Sequence, residues 1–365
     1  MSKNLPRICV VGQLVGRNRG FITTQGQVLA DALESEGFEV ISVSSKLNRA
    51  LRVVDVVQTI VQKRKSIDLL IIEVYSGLSF LLADIASFVG RMFKLPSVFV
   101  LHGGNLPEFA DRFPRWTTRV LARASCVVAP SPFLAEKMSS ARAGIKVIPN
   151  IVALEKYNFR LRRQLRPALL WMRSFHDIYN PELALRAFAA VRQRFPDATL
   201  VMAGPDKGLL ASTMLLTTEL GLDDCVSFPG FLGDKEKSIE FDRADIFLNT
   251  TRIDNMPVGV VEACAAGVPV VATDVGGLSA LLIDRHSGML VKEKSPEALA
   301  DAVERLLNSP DLAETLSRNG RLVAENSSWP NVLTRWRQTF DDILGSPDNP
   351  AANDLSREAL RQREA

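Results

Sequence analysis

Histidine is scarce in this chain, with three among 365 residues, and no group of His and Cys stands at metal-ligand spacing. The four cysteines, Cys9, Cys126, Cys225 and Cys264, lie far apart in mostly apolar segments. They read as reduced core residues rather than as disulfides or a zinc site, and reduced thiols point to the cytoplasm. No apolar run reaches the roughly 20 residues that a spanning helix needs. The segment Met1–Arg7 leads straight into Ile8-Cys9-Val10-Val11, without the apolar stretch and cleavage site of a secretory leader. Asp-x-Asp is missing, and so is any Ser-His-acid order or activated Cys, which argues against acyl chemistry. With 47% hydrophobic and 23% charged residues, disorder and fibrous repeats are excluded as well.

The formal charge of +3 hides an asymmetry. Residues 1–150 hold 19 Lys and Arg against 11 Asp and Glu, whereas the remainder holds 25 against 30. A basic first half suits an anionic partner, such as an acidic acceptor or a membrane surface. No run matches a nucleic-acid motif, so no nucleic-acid partner is expected. Two stretches mix cations with apolar or aromatic residues. Residues 49–65 end in Lys63-Arg64-Lys65, and residues 106–123 carry Arg112, Phe113, Arg115, Trp116, Arg119 and Arg123. Both are candidates for contact with an anionic membrane, and a core-packed helix with a wet basic side explains them too.

What is present is a regular alternation. Val-, Ile- and Leu-rich runs at 7–12, 39–43, 68–74, 97–101 and 125–129 predict buried strands, with helical patterns such as 24–36 and 79–93 between them. The pattern restarts near Pro167. Strands are predicted at 168–172, 199–203, 225–228, 245–249, 268–272 and 288–291, and helices at 181–194, 208–220, 235–242, 257–266 and 295–307. The fold class is therefore α/β, as two Rossmann-like, doubly wound parallel-sheet domains, with ligands expected at the strand carboxyl ends facing an interdomain cleft. We place the first domain at 1–155, reading the basic stretch 155–166 as the linker, and the second at 156–328. Residues 310–344 read as helical, and 345–365 as a frayed polar tail.

The densest chemistry lies in 250–278. A polar loop carries Asp254, Asn255 and Met256, and Pro257 suits the first turn of a helix. Gly259 lets a ligand approach the backbone, and Glu262 follows eight residues after Asp254. A helix start aimed at a cleft offers free amides and a positive dipole end, which suit phosphate or a sugar hydroxyl. The run continues Glu262-Ala263-Cys264-Ala265-Ala266-Gly267-Val268-Pro269-Val270-Val271, then Val275-Gly276-Gly277.

This segment resembles the family 4 glycosyltransferases of the GT-B kind. Their mark is an acid, seven residues and a Glu, then Ala-x-Ala-x-Gly-x-Pro-Val-Val and Val-Gly-Gly. The resemblance implies a retaining hexosyltransferase that uses a nucleotide diphosphate sugar as co-substrate, with neither metal nor resident cofactor. It places Glu262 on the donor ribose hydroxyls, residues 255–259 (Val258 among them) on the donor sugar and phosphates, and Asp254 at the first acid position, which is usually Glu. Arg173, ending the run Leu169-Leu170-Trp171-Met172, would clamp the donor diphosphate. The family's second cation, a Lys a few residues on, is missing; Tyr179 and Asn180 fall nearest, and His176 is a possible donor. By the same resemblance Gly204 and the turn at Phe231 meet the phosphates and nucleobase, mainly through backbone. His102, in Leu101-His102-Gly103-Gly104, would touch the donor sugar. Further matches are Ser131-Pro132, Ile148-Pro149-Asn150 and a closing helix at about 329–344, which packs back on the first domain.

On the first domain, the Gly-rich loop after the first strand has neither the G-x-G-x-x-G spacing nor the acid of a dinucleotide fingerprint. Gly16, Arg17, Gly20, Thr23 and Thr24 are its candidates for meeting an acceptor or a phosphate. The acceptor is expected to be a glycan, a lipid-linked sugar or a small molecule, with the inner face of the membrane as a candidate surface. Two alternatives stand beside transfer: a GT-B nucleotide-sugar isomerase or epimerase, and a nucleotide-sugar binder with weakened catalysis.

Overall fold

The computed structural model describes residues 5–16, 23–292 and 295–345. It divides into two units: the described residues up to Ile151 together with Val332 onward, and Val152–Asn331.

The first unit runs β1 (Ile8–Val11), α1 (Gln25–Ser35), β2 (Val40–Val43), α2 (Arg49–Lys63), β3 (Leu69–Val74), α3 (Phe80–Met92), β4 (Ser97–Leu101), α4 (Leu106–Arg112), α5 (Pro114–Leu121), β5 (Cys126–Ala129), α6 (Pro132–Lys137) and β6 (Lys146–Val147). Helix starts follow capping chemistry: Thr24 accepts from the Gln27 amide, Asn48 from Ala50 and Leu51, and Ser131 from Leu134. The sheet is parallel, in the order β2-β1-β3-β4-β5-β6. The winding direction reverses between β1 and β3, so their carboxyl ends flank the position where such sheets open a crevice. Val11, Ile72, Phe99 and Val127 are buried in one continuous core with Ile60 of α2 and Phe80 of α3.

The second unit runs β7 (Ala168–Met172), α7 (Pro181–Arg194), β8 (Thr199–Ala203), α8 (Leu210–Glu219), β9 (Val226–Gly230), α9 (Asp234–Arg243), β10 (Ile246–Asn249), α10 (Val258–Ala265), β11 (Val270–Thr273), α11 (Leu278–Leu281), β12 (Met289–Val291), α12 (Pro296–Leu307) and α13 (Pro310–Glu325). Its parallel order is β12-β11-β10-β7-β8-β9, which puts the reversal between β7 and β10. Alternate residues of β7 serve two cores. Leu169 and Trp171 join Phe188 and Leu200 on one face, and Leu170 joins Phe247 and Val261 on the other. Both faces of the sheet are therefore covered, as continuous apolar strands require.

α14 (Trp329–Leu344) closes the described chain. From Val332 onward it packs on the first unit: Phe340 meets Phe38 edge-on at 5.9 Å, and Arg337 reaches Glu36 at 3.1 Å. Residues 346–365, read from the sequence as a frayed tail, lie outside the described residues.

The stretch 155–166 is not a linker. Arg162 is buried, donating to the carbonyls of Phe241 at 2.8 Å, Ala244 at 3.1 Å and Ala266 at 2.5 Å. Burial first, and then the nearby Arg160 charge, push its pKa down to about 10. Arg160 and Arg166 close on the buried Asp245 carboxylate at 2.7 and 2.9 Å. The basic composition that suggested a solvated connection is the wrapping of one buried acid.

Candidate functional site

Three strand ends in the second unit are stapled by backbone. The Arg173 amide donates to Ala203 O at 3.0 Å, the Gly204 amide to Gly230 O at 2.8 Å, and the Phe175 amide to Pro205 O at 3.0 Å. Gly204 sits at φ 148°, and a Cβ there would overlap the Arg173 carbonyl. The glycine is set by that backbone approach.

Held this way, the Arg173 side chain lies at the β7/β10 reversal. Its guanidinium pairs with the Asp254 carboxylate, donates from Nε to Asn249 Oδ1 at 3.3 Å, and covers the Tyr179 ring at 5.0 Å. Tyr179 is fixed in turn: Thr250 Oγ1 bridges its carbonyl, the Asn180 carbonyl (each 2.9 Å) and the indole of buried Trp171 (3.0 Å). Asn249 is buried, and its Nδ2 has no hydrogen-bond partner. His176 is exposed and accepts the Ile178 amide at 3.2 Å, so it caps the turn before α7.

The loop after β10 is clamped by the Val275-Gly276-Gly277 turn. The Asp254 carbonyl accepts the Gly277 amide at 2.9 Å, and Asp254 Oδ1 accepts the Asn255 amide at 2.8 Å. A Cβ on Gly276 would overlap the Asp254 carbonyl, and one on Gly277 the Asn255 carbonyl. Asn255, Met256 and Pro257 are buried. Pro257 is the N-cap of α10 rather than its first residue, and no side chain caps that end. Gly259 differs from the other glycines. A Cβ there would make ordinary 3.5 Å contacts with Met172 O and the Phe247 ring, so packing does not demand glycine.

Glu262, in the second turn of α10, is buried. Its Oε1 accepts the Tyr157 hydroxyl at 2.7 Å and pairs with Lys237 of α9. Burial, then the Glu262 charge, push the Tyr157 phenol well above its ordinary range, so it stays a donor. Sequence reasoning missed both partners. Tyr157 lay in the supposed linker, and Lys237 lay in the charged run Asp234-Lys235-Glu236-Lys237, which reads as a solvated helix face. The two acids spaced eight apart thus each carry a cation, Arg173 on Asp254 and Lys237 on Glu262. Phe231 is exposed after β9.

In the first unit His102 follows β4 and is buried. Its Nε2 lies 2.5 Å from Glu73 Oε2, and its ring stacks on Tyr75 with centroids 4.8 Å apart. Tyr75 OH is 3.5 Å from the same oxygen, while Glu73 Oε1 is buried and unpartnered. Burial and the Glu73 charge raise the Tyr75 pKa. Gly12 and Gly26 make room for this acid: a Cβ on either would come within 2.7 or 2.6 Å of its side chain. These glycines of the first loop therefore answer to Glu73, whose carboxyl lies against the first turn of α1. Gly16 abuts Thr23, where a Cβ would come within 2.5 Å of its Cα, and Thr24 is a helix cap. Arg17 and Gly20 lie outside the described residues. Glu73 was legible as the one charge in the run Leu69–Val74, and sequence reasoning passed over it.

In residues 106–123 Phe109 and Trp116 pack inward, while Phe113 stays 39% exposed at their edge. Phe80, Phe109 and Trp116 interlock, and Trp116 Nε1 donates to Asp84 at 2.6 Å. Among the described residues no three His, Cys, Asp or Glu side chains gather as a metal site, and no helix is long and apolar enough to cross a membrane.

Residues 159–323 match the family model of the glycosyl transferases group 1. Among curated relatives, the D-inositol 3-phosphate glycosyltransferase of Saccharomonospora viridis is 29% identical over 281 residues, covering 71% of this chain and 61% of the relative. That of Paenarthrobacter aurescens is 30% identical over 266 residues, covering 67% and 65%. The chain thus spans less than two thirds of the length of either. Among solved structures, Anabaena Alr3699/HepE in complex with UDP and glucose superposes with a TM-score of 0.73 at 19% identity, covering 92% of this chain and 100% of that one. Sucrose-phosphate synthase from Thermosynechococcus elongatus gives 0.76 at 18% identity, covering 93% and 99%. These two likenesses establish the fold, which is GT-B.

Proposed function

We propose that this chain, which belongs to the family 4 glycosyltransferases of the GT-B fold, transfers a hexose-type sugar from a nucleotide diphosphate donor to a hydroxyl acceptor. The observation that carries this reading is the pairing of Asp254 with Arg173 and of Glu262 with Lys237 around one helix start. An arriving diphosphate offers Arg173 a second anion in place of, or beside, Asp254. The open first amides of α10 add their positive dipole end. Asn249 Nδ2, buried and unspent, is a further donor beside Arg173. Glu262, fixed through Oε1, keeps Oε2 for ribose hydroxyls.

The chemistry follows from those charges. The bond from the anomeric carbon to the diphosphate oxygen breaks as the acceptor oxygen attacks the same face, so configuration is retained. The acceptor proton passes to the departing phosphate oxygen, which needs no protein base. Negative charge grows on the leaving diphosphate, and preorganised cations and amides offset it where water is thin. No metal and no resident cofactor enter this scheme, and EDTA should leave turnover unchanged.

The acceptor class that fits is a glycan, a lipid-linked sugar or a small molecule, on the cytoplasmic side. A lipid-linked acceptor would bring the first unit against the anionic inner face of a membrane. Glu73, His102 and Tyr75 favour one second reading, since a nucleotide-sugar isomerase needs extra acid/base groups. Incubation with UDP-, GDP- and ADP-sugars, without acceptor, separates the readings. A transferase slowly releases free sugar and nucleotide diphosphate, an isomerase returns an altered sugar, and a pure binder leaves the donor intact.

A further inference from the structure

α3 is apolar on two sides. Its inner side buries Leu82, Ala83, Ala86 and Val89 in the core of the first unit. Its outer side shows a second stripe at helical spacing: Leu81 is 45% exposed, Phe88 55% and Met92 64%, continued before the helix by Leu78 at 73%. The neighbouring α2 repeats the pattern. Val56 and Ile60 point into the core, whereas Leu51 and Val54 are exposed, together with Leu47 just ahead of the helix. Leu47 is displayed on fixed backbone, because the buried Arg52 donates to the Lys46 carbonyl at 2.8 and 3.0 Å. Exposed apolar side chains in line on two neighbouring helices are what an interaction surface needs.

The charges around it have one sign. Between residues 45 and 95 every exposed ionic side chain is a cation: Lys46, Arg49, Lys63, Arg64, Lys65, Arg91 and Lys94. The acids of the same span are turned inward. Asp55 meets Ser44, Asp68 meets Arg7, Glu73 meets His102, and Asp84 meets Arg123 and Trp116. Five of the cations gather where α2 and α3 end. There Arg91 and Lys94 also edge a hollow of about 890 Å³, which includes Arg123, Arg142 and Lys146 against a single acid, Asp342.

We propose that the outer face of α2 and α3 is the surface by which this protein lies on a bilayer rich in anionic lipid. The inference rests on the peripheral contact suggested under Proposed function; of the two basic stretches read from the sequence it keeps 49–65, which holds α2, joins α3 to it, and leaves out 106–123, where Phe109 and Trp116 are packed inward. A stripe of Leu, Phe and Met beside Lys and Arg matches the boundary of such a bilayer, where acyl chains meet anionic headgroups. A second copy of this face would set cation against cation. Nucleic acid would meet the cations and leave the apolar stripe in water.

The test is co-sedimentation of the full chain with phosphatidylcholine vesicles, with and without phosphatidylglycerol. Binding is expected only with the anionic lipid, falling as salt rises. The surface variants L81S/F88S/M92S and R91E/K94E should each weaken it at least about tenfold, while R91K/K94R keeps it. Melting temperature and nucleotide diphosphate affinity, measured in parallel, should stay at the parent values. Absence of binding to anionic vesicles overturns both this inference and the peripheral contact beneath it. Binding that survives these substitutions overturns the inference alone, because the contact then lies elsewhere. So does a concentration-dependent dimer that L81S/F88S/M92S dissolves.

Discussion

Arg173 and Asp254 form an ion pair at the point where the second sheet reverses its winding, 81 residues apart in sequence. One ends β7 and the other lies in the loop after β10, so the pair exists only because those strands are neighbours. An Arg so placed, stacked on Tyr179 and bonded to Asn249, has its planar fork fixed before any ligand arrives.

R173A should therefore lower donor turnover by about 10² to 10³, the usual effect of removing one preorganised donor from a developing anion. R173K should recover only part of this, since an ammonium makes no bidentate contact and has no planar face for Tyr179. Steady-state rates of donor hydrolysis, or of transfer once an acceptor is known, read both.

Glu262 depends on Tyr157 and Lys237 for its orientation. Y157F removes a hydrogen bond to a mostly buried carboxylate and should cost about 1.5–3 kcal/mol of stability in the second unit. K237M should weaken nucleotide diphosphate binding, because Glu262 loses the cation that holds its Oε1. Chemical denaturation and calorimetric titration of the two variants check these effects separately.

The glycines divide into two groups. Alanine at Gly204, Gly276 or Gly277 places a methyl against backbone carbonyls that cannot retreat, and each substitution should destabilise by about 2 kcal/mol or more. Alanine at Gly259 fits its surroundings and improves helix propensity by up to about 1 kcal/mol. G259A should therefore hold or raise the melting temperature while weakening donor affinity, a split that a purely structural glycine would not give.

Asp245 sets an acid limit. Burial would raise its pKa, but the hydrogen bonds from Arg166 and then Arg160 outweigh it and hold the carboxyl below its ordinary 3.8. A depressed carboxylate contributes stability that is present above its unfolded pKa and lost as pH falls through the folded one. Stability should start to fall as pH drops below about 4, and D245N should flatten that limb. It should also cost about 3–5 kcal/mol at neutral pH, because Arg162 is left buried without its counter-charge. Denaturant melts from pH 7 to 3 test both statements.

Strands and helices were legible because buried parallel strands are continuous apolar runs and their helices begin with caps and prolines. Two-residue β6 carried too little pattern to read. Arg173, Asp254 and Glu262 stood out through order and spacing around one helix. Lys237 and Tyr157 did not, since a Lys among Asp and Glu looks the same whether it faces water or a buried acid. The 155–166 stretch misled for a related reason: basic composition cannot tell a solvated segment from three arginines enclosing Asp245. Gly12 and Gly26, at the two ends of the Gly-rich first loop, make room for the chain's own Glu73, a packing role that composition does not show.

The central claim is that Arg173 and Glu262 serve one donor diphosphate without help from a metal. Calorimetric titration of the matching nucleotide diphosphate, in EDTA, into the parent chain and into folded R173A and E262A addresses it directly. Saturable binding to the parent and at least a tenfold loss in each variant are expected. Parent-like affinity in either variant, or binding that appears only when a divalent cation is restored, would contradict it.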